Sequence, residues 1–176
     1  MGKIIVGDLE ANGMLFEADK IHCIVFNELG TDKYYEIHGS QQHIRDKYLK
    51  CIKEDYTYVF QNSMGYDYPL VDRLIHVPFS VAPDTIAGVP VQIIDTLAWS
   101  RELFPDRPGG HSLKAWEEKV TGHKPAVQDW KDEPLEVYVE HCKSDVELTA
   151  NVFIDDLYWH VVWDEWCVWF LFWLLW

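Results

Sequence analysis

The sequence predicts an α/β fold with a mixed central sheet flanked by helices. Strand-like and helix-like segments follow one another in the order β, ββ, α, β, α, β, α, with helix at the end. Hairpin strands first and αβ units later imply a sheet with antiparallel and parallel neighbours and helices on its faces. The 176 residues amount to one ordinary domain, and a hydrophobic share of 48% is too high for a disordered chain.

Ile4–Leu9 is an almost wholly apolar run ending in acid, the pattern of a strand buried on both faces. Ile21–Glu28 and Tyr34–His38 read as strands, with turn residues over Asn27–Asp32 between them. From Gln41 to Asp55, Ile44, Tyr48, Leu49, Cys51 and Ile52 recur at helical spacing. Tyr56–Phe60 is a β-rich run leading into polar QNSMGYD, and a short helix is expected over Tyr68 to His76. Val91–Ile94 reads as a strand, after which Asp95-Thr96 can cap a helix through Phe104. Pro105–Gly110 is loop by composition, and Ser112 opens a helix with Glu117 and Glu118 near its dipole-favoured start. After a Pro125–Glu133 loop the rest reads as long helix, with a break expected near Lys143-Ser144.

Fifteen Lys and Arg against twenty-nine Asp and Glu leave a net charge of −14. That excludes a general electrostatic coat for nucleic acid, which needs a basic stripe. Cys23, Cys51, Cys142 and Cys167 are scattered without a CxxC pair, so neither a zinc ribbon nor a disulfide scaffold is expected. The opening MGKIIVGDLEAN carries only a short apolar run, so no secretory signal is expected and a reducing cytoplasm is the expected compartment.

Acidic residues carry the chemistry. Asp8 and Glu10 stand at i and i+2 of a strand, so both point to one face with α-carbons about 6.6 Å apart. Two like charges at the exit of a buried strand are unfavourable unless a cation lies between them or one is protonated. Asp67 follows the Tyr56–Phe60 strand, and Asp145 precedes the core-type Val146, Leu148 and Val152. Ligands gather at the carboxyl ends of strands in open α/β sheets, and an all-oxygen donor set favours Mg²⁺ or Mn²⁺ over zinc.

The runs GDLEANGML, VFQNSMGYD and HCKSDVEL resemble, in order, the three exonuclease motifs of the DEDD (DnaQ-like) superfamily. The likeness is strongest to the proofreading domains of T-odd bacteriophage family A DNA polymerases, and IIDTLAWSREL and GGHSLKAWEEKVTG are similar to segments those domains carry between the second and third motifs. It covers roughly Lys3 to Val152. The resemblance implies a ribonuclease H-like fold and a metal-dependent 3′–5′ exonuclease that releases nucleoside monophosphates from DNA, in phage replication or proofreading. It assigns Asp8, Glu10, Asp67 and Asp145 to two Mg²⁺ or Mn²⁺ ions. RNA as substrate stays open, because that choice rests on contacts to the 2′-OH. A host cytoplasm is implied if the origin is phage. The rival is a non-catalytic binding or scaffold subunit of a replication complex on the same fold.

The superfamily orients its water with Tyr four residues, or His five residues, before the last Asp. Here His141 stands four before Asp145 and Glu140 five before. His141 is the expected water-orienting base, reaching the water from a loop if the helix begins only after Lys143. Tyr138 is the other candidate. Substrate contacts are expected from Ala11, Asn12, Met14 and Leu15 after the first motif, with Phe16 beside them, and from Asn62 and His111. Apolar surface there suits stacking on a terminal base of a single-stranded or frayed 3′ end. Between Arg101 and Lys124 five Lys and Arg face four Asp and Glu, against two and eleven from Pro125 onward, which makes the earlier segment the expected DNA rail.

Residues 1–157 form the expected exonuclease domain and 158–176 an aromatic-rich C-terminal helix or tail. Trp166–Trp176 is an apolar run of eleven residues, about 16 Å as a helix, too short to cross a membrane. It must be buried on the domain's own sheet, by self-association, on a separate DNA polymerase subunit or in a membrane interface. Asp155, Asp156, Asp164 and Glu165 disfavour anionic lipid, so a protein contact is the expectation.

Overall fold

The computed structural model describes residues 2–117 and 131–158. The chain begins with three strands, β1 (Ile4–Ala11), β2 (Ile21–Glu28) and β3 (Tyr34–His38), followed by α1 (Gln41–Cys51), β4 (Thr57–Phe60) and α2 (Asp67–Ile75). Three short strands come next, β5 (Phe79–Val81), β6 (Asp84–Ile86) and β7 (Val89–Pro90), then β8 (Gln92–Asp95). Helices α3 (Thr96–Leu103), α4 (Leu113–Glu117) and α5 (Leu135–Asn151) end in a π-helical turn over Val152–Tyr158.

The central sheet has the order β3-β2-β1-β4-β8 and is mixed, as the sequence predicts. β1 pairs antiparallel with β2 and parallel with β4, and β4 pairs parallel with β8. Parallel strands end at the same edge, so β1, β4 and β8 deliver their carboxyl ends, and the acids on them, together. Side-chain alternation splits β1 between two cores. Ile5, Leu9 and Ala11 pack in the larger cluster with Ile44, Tyr48, Leu70 and Val71 from α1 and α2. Val6 joins Cys23, Val25, Val59 and Ile94 against Tyr138, Val139, Cys142 and Val146 of α5. The result is three layers, helix–sheet–helix.

Several boundaries differ from the sequence reading. The first helix stops at Cys51, where Ile52 turns extended, and its Ser40 cap accepts the His43 N–H. Asp67 is the first residue of α2 rather than part of the preceding loop. β5, β6 and β7 form a second antiparallel sheet that the sequence did not announce, because strands of two or three residues leave no readable alternation. No break falls at Lys143-Ser144, since α5 is continuous from Leu135 to Asn151. The expected Pro125–Glu133 loop lies mostly outside the described residues, as do Glu118 and the tail beyond 158. Among the described residues no helix is long and apolar enough to cross a membrane.

Gly7 fits where no side chain would. A Cβ there would lie 2.6 Å from Phe60 Cζ and 2.8 Å from Phe26 Cδ1, two rings that meet edge to face. Gly7→Ala must push both aromatics aside one residue before Asp8. It is expected to cost about 1–3 kcal/mol in urea-induced unfolding. A change within about 0.5 kcal/mol would mean that the rings repack freely.

Candidate active site

Because β1 alternates, Asp8 and Glu10 share the face that carries Val6 toward α5. On α5, His141 and Asp145 are one turn apart and point the same way. The His141 Nδ1 lies 2.6 Å from Glu10 Oε1 and 4.0 Å from Asp145 Oδ2. One ligand atom from each of Glu10, His141 and Asp145 lies within 4.8 Å of the other two, and all three residues are buried. Glu140, the five-before position, is exposed, while Lys143 turns outward to pair with Glu36 at 2.5 Å. His141 therefore enters the site from the helix itself, not from a loop. The helical spacing brings an imidazole to the carboxylates that the five-before spacing would have turned some 100° away. Tyr138 is engaged elsewhere: its ring stacks on His22 at 3.9 Å and its hydroxyl accepts the Glu133 N–H at 3.0 Å.

Asp8 and Asp67 complete the cluster. Asp8 is half-buried, Asp67 is 3% exposed, and the buried Asp8 Oδ2 and Asp67 Oδ1 have no hydrogen-bond partner among the described residues. Desolvation holds the Asp8 carboxyl well above the usual range, reinforced by the charges of Glu10, Asp145 and Asp67, while the Cys142 thiol partly offsets them. Desolvation likewise raises Asp67, helped by Asp95 and Glu10 and opposed by the backbone N–H groups of Asp67 and Leu9. Carboxyl groups that are desolvated and mutually repelling, with lone pairs left unmatched, form a donor set that a divalent cation fits.

Asp67 is placed by a residue that sequence reasoning assigned only a capping role. Asp95 ends β8 beside Phe60 of β4 and caps α3, its Oδ1 accepting the N–H groups of Leu97 and Ala98. The same carboxylate accepts the Asn62 N–H at 3.0 Å, the Met64 N–H at 3.0 Å and the Ser63 hydroxyl at 3.3 Å. It thereby folds the loop between β4 and α2 into a tight turn with Asn62 at φ 61°. Next to it the Thr96 hydroxyl donates to the Phe60 carbonyl at 3.0 Å and contacts the Gln61 amide oxygen. Gln61 in turn donates to the His111 carbonyl at 3.0 Å. The signal for these contacts was the parallel pairing of β4 and β8, which a sequence does not display.

The expected substrate-contacting residues divide. Ala11 is buried in the core. Asn12 closes its own loop, accepting from the Asp19 and Lys20 N–H groups and donating to Asp19 Oδ1. Met14 and Phe16 are 72% and 91% exposed on the turn after β1, with Leu15 half-buried between them. Tyr66 and Arg73 of the second motif's segment hold that turn, donating to the carbonyls of Gly13 and Leu15, each at 2.7 Å. Burial, with Asp67, Glu10 and Asp8 nearby, pushes the Tyr66 phenol up to about 12. Asn62 is exposed, and His111 Nδ1 lies 2.8 Å from the Ser100 hydroxyl.

Two outcomes are expected. Asp95→Ala removes a helix cap and the acceptor of three loop donors together and should cost roughly 2–4 kcal/mol in denaturant unfolding. A loss below about 0.5 kcal/mol would show that the loop holds itself. The second concerns pH. Above the ordinary carboxylate pKa the unfolded chain releases its protons while Asp8 and Asp67 retain theirs, so metal-free stability falls as pH rises toward their raised values. Asp8→Asn should therefore raise the melting temperature in chelator at about pH 8, and raise it less at about pH 5. A lower melting temperature than wild type at the higher pH would contradict the strained carboxylates.

No family model matches the sequence. The DNA-directed DNA polymerase of Escherichia phage T7 is 29% identical over 131 residues, spanning 64% of this chain and 18% of the polymerase's length. Brucella melitensis NrnC bound to pGG superposes with a TM-score of 0.56 at 16% identity, over 87% of this chain and 72% of that one. The zinc-bound E. coli ExoI–ssDNA complex superposes with a TM-score of 0.58 at 9% identity, over 92% of this chain and 43% of that one. The chain has the ribonuclease H-like fold of the DnaQ-like 3′–5′ exonucleases, as the order of its three acidic segments implies.

Proposed function

We propose that the chain is a metal-dependent 3′–5′ exonuclease that removes nucleoside 5′-monophosphates from the 3′ end of DNA. What carries the reading is the convergence of Asp8, Glu10, Asp67 and Asp145 from three elements onto one edge of an exonuclease-type sheet. Asp8 and Asp67 keep buried oxygens without a hydrogen-bond partner among the described residues, an arrangement that costs stability and that bound cations would relieve.

In this reading Asp8, between the other acids, Glu10 and Asp145, and Asp67 hold Mg²⁺ or Mn²⁺, and His141 is the nitrogen of the cluster. Bound divalent cations supply positive charge for the attacking and leaving oxygens of an in-line phosphodiester hydrolysis. The four acids invert an otherwise repulsive field toward the DNA only when so loaded, which reconciles a net charge of −14 with a nucleic-acid substrate. The protein's other contribution is placement. Exposed Met14 and Phe16, on a turn tied down by Tyr66 and Arg73, offer apolar surface to a terminal base, which suits a single-stranded or frayed 3′ end. The likeness to the phage T7 polymerase supports a role in phage replication or proofreading beside a polymerase. Residues 158–176 are the proposed docking segment for that polymerase or for a second copy.

The test is degradation of 5′-labelled single-stranded DNA in Mg²⁺ or Mn²⁺. Wild type should give a ladder shortening from the 3′ end, and Asp8→Ala should slow it by at least about a thousandfold with the fold retained. Undiminished activity in a highly purified Asp8→Ala protein contradicts the assignment. A parallel RNA strand of the same sequence measures the preference for DNA.

A further inference from the structure

We infer that His141 is itself a metal ligand, closing a Glu10–His141–Asp145 site that prefers a transition-metal cation such as Mn²⁺ or Co²⁺ over Mg²⁺. The inference rests on the nuclease reading, and specifies which cation that site takes and how.

Three observations point there. The first is distance. The imidazole nitrogen is 2.6 Å from a Glu10 oxygen and 4.0 Å from an Asp145 oxygen, and a donor from each residue fits within 4.8 Å. Ligands about 2.1 Å from one ion lie at most roughly 4.2 Å apart, so small side-chain adjustments bring all three onto one cation. The second is spacing. Residues i and i+4 on a helix present donors to one point, which is how paired ligands on a single helix chelate a metal. His141 and Asp145 have that relation on an unbroken α5. The third is direction. A ligand nitrogen has to face the carboxylates that share its cation. The His141 Nδ1 is turned into the carboxylates, between Glu10 and Asp145, and the residue is 3% exposed.

Donor chemistry then sets the preference. Imidazole binds first-row transition cations well and Mg²⁺ poorly, because Mg²⁺ holds oxygen ligands and its own waters. Replacing one oxygen by nitrogen in a carboxylate site therefore shifts selectivity without removing the charge that the reaction uses. Asp8 and Asp67, both oxygen donors, remain for the other cation.

The full-length metal-free protein is titrated calorimetrically with Mg²⁺, Mn²⁺ and Co²⁺ in separate runs, and the Mn²⁺-loaded wild type is examined by pulsed electron paramagnetic resonance. Expected are tighter binding of Mn²⁺ and Co²⁺ than of Mg²⁺ by roughly a hundredfold or more, and a nitrogen hyperfine coupling to Mn²⁺. His141→Ala should abolish that coupling and weaken Mn²⁺ and Co²⁺ at least about tenfold while changing Mg²⁺ by less than about threefold. Should the variant not fold, the wild-type spectrum decides alone. Cation binding without nitrogen coupling overturns the inference and returns His141 to orienting water. A wild type that binds none of the three cations overturns the nuclease reading, and this inference with it.

Discussion

Carboxylates repel one another when they are taken out of water, and the fold is built so that they cannot move apart. Asp8 and Glu10 are fixed by a strand paired on both sides, Asp145 by a helix packed across that strand, and Asp67 by a turn anchored from a neighbouring strand. Desolvation raises the proton affinity of Asp8 and Asp67, and the acids facing each of them add to it. Pushing like charges together in low dielectric opposes folding, and the opposing contribution has to be met by the two hydrophobic cores either side of β1. The cores supply it with aromatic rings. Phe26, Tyr48, Tyr58, Phe60 and Tyr68 fill one side, and Tyr138 and Phe153 the other.

Sheet topology does the gathering. Three parallel strand ends at one edge place the acids of β1, the turn after β4 and Asp95 of β8 within reach of one another, although Asp8 and Asp95 are 87 positions apart in sequence. Asp95 shows how little is left to chance at that edge, since one carboxylate both starts α3 and closes the turn that presents Asp67. Thr96, next to it, joins the same platform to the segment holding His111 through Gln61. Rigid elements therefore carry the site, and the exposed side chains Met14 and Phe16 are confined to a single turn beside it.

Much of this was legible beforehand, for identifiable reasons. The run Ile4–Leu9 announces a doubly buried strand because its apolar residues are continuous, and the two-residue spacing of Asp8 and Glu10 fixes their common face. Asp67 and Asp145 stood out by their places after a strand and before a core-type run, and the resemblance joined them to Asp8 and Glu10, from which their separation in sequence is too great for any local rule. The β5–β7 sheet escaped because its strands are too short for periodicity, and the contacts of Asp95 escaped because they follow from strand pairing at long range. His141 was the instructive case. The expected break at Lys143-Ser144 had no helix-breaking residue behind it, and without the break the four-residue spacing makes His141 a neighbour of Asp145 on one helical face. Ala11 and Asn12, adjacent to the acidic motif, are spent on the core and on loop closure.

The claim on which all of this depends is that the four carboxylates form one cation-binding pocket. Anomalous diffraction from a crystal equilibrated with Mn²⁺ tests it most directly. The account predicts manganese peaks enclosed by Asp8, Glu10, Asp67 and Asp145, with the side chains drawn in toward them. Density showing the carboxylates intact in place but the manganese bound only at other surface acids would contradict it.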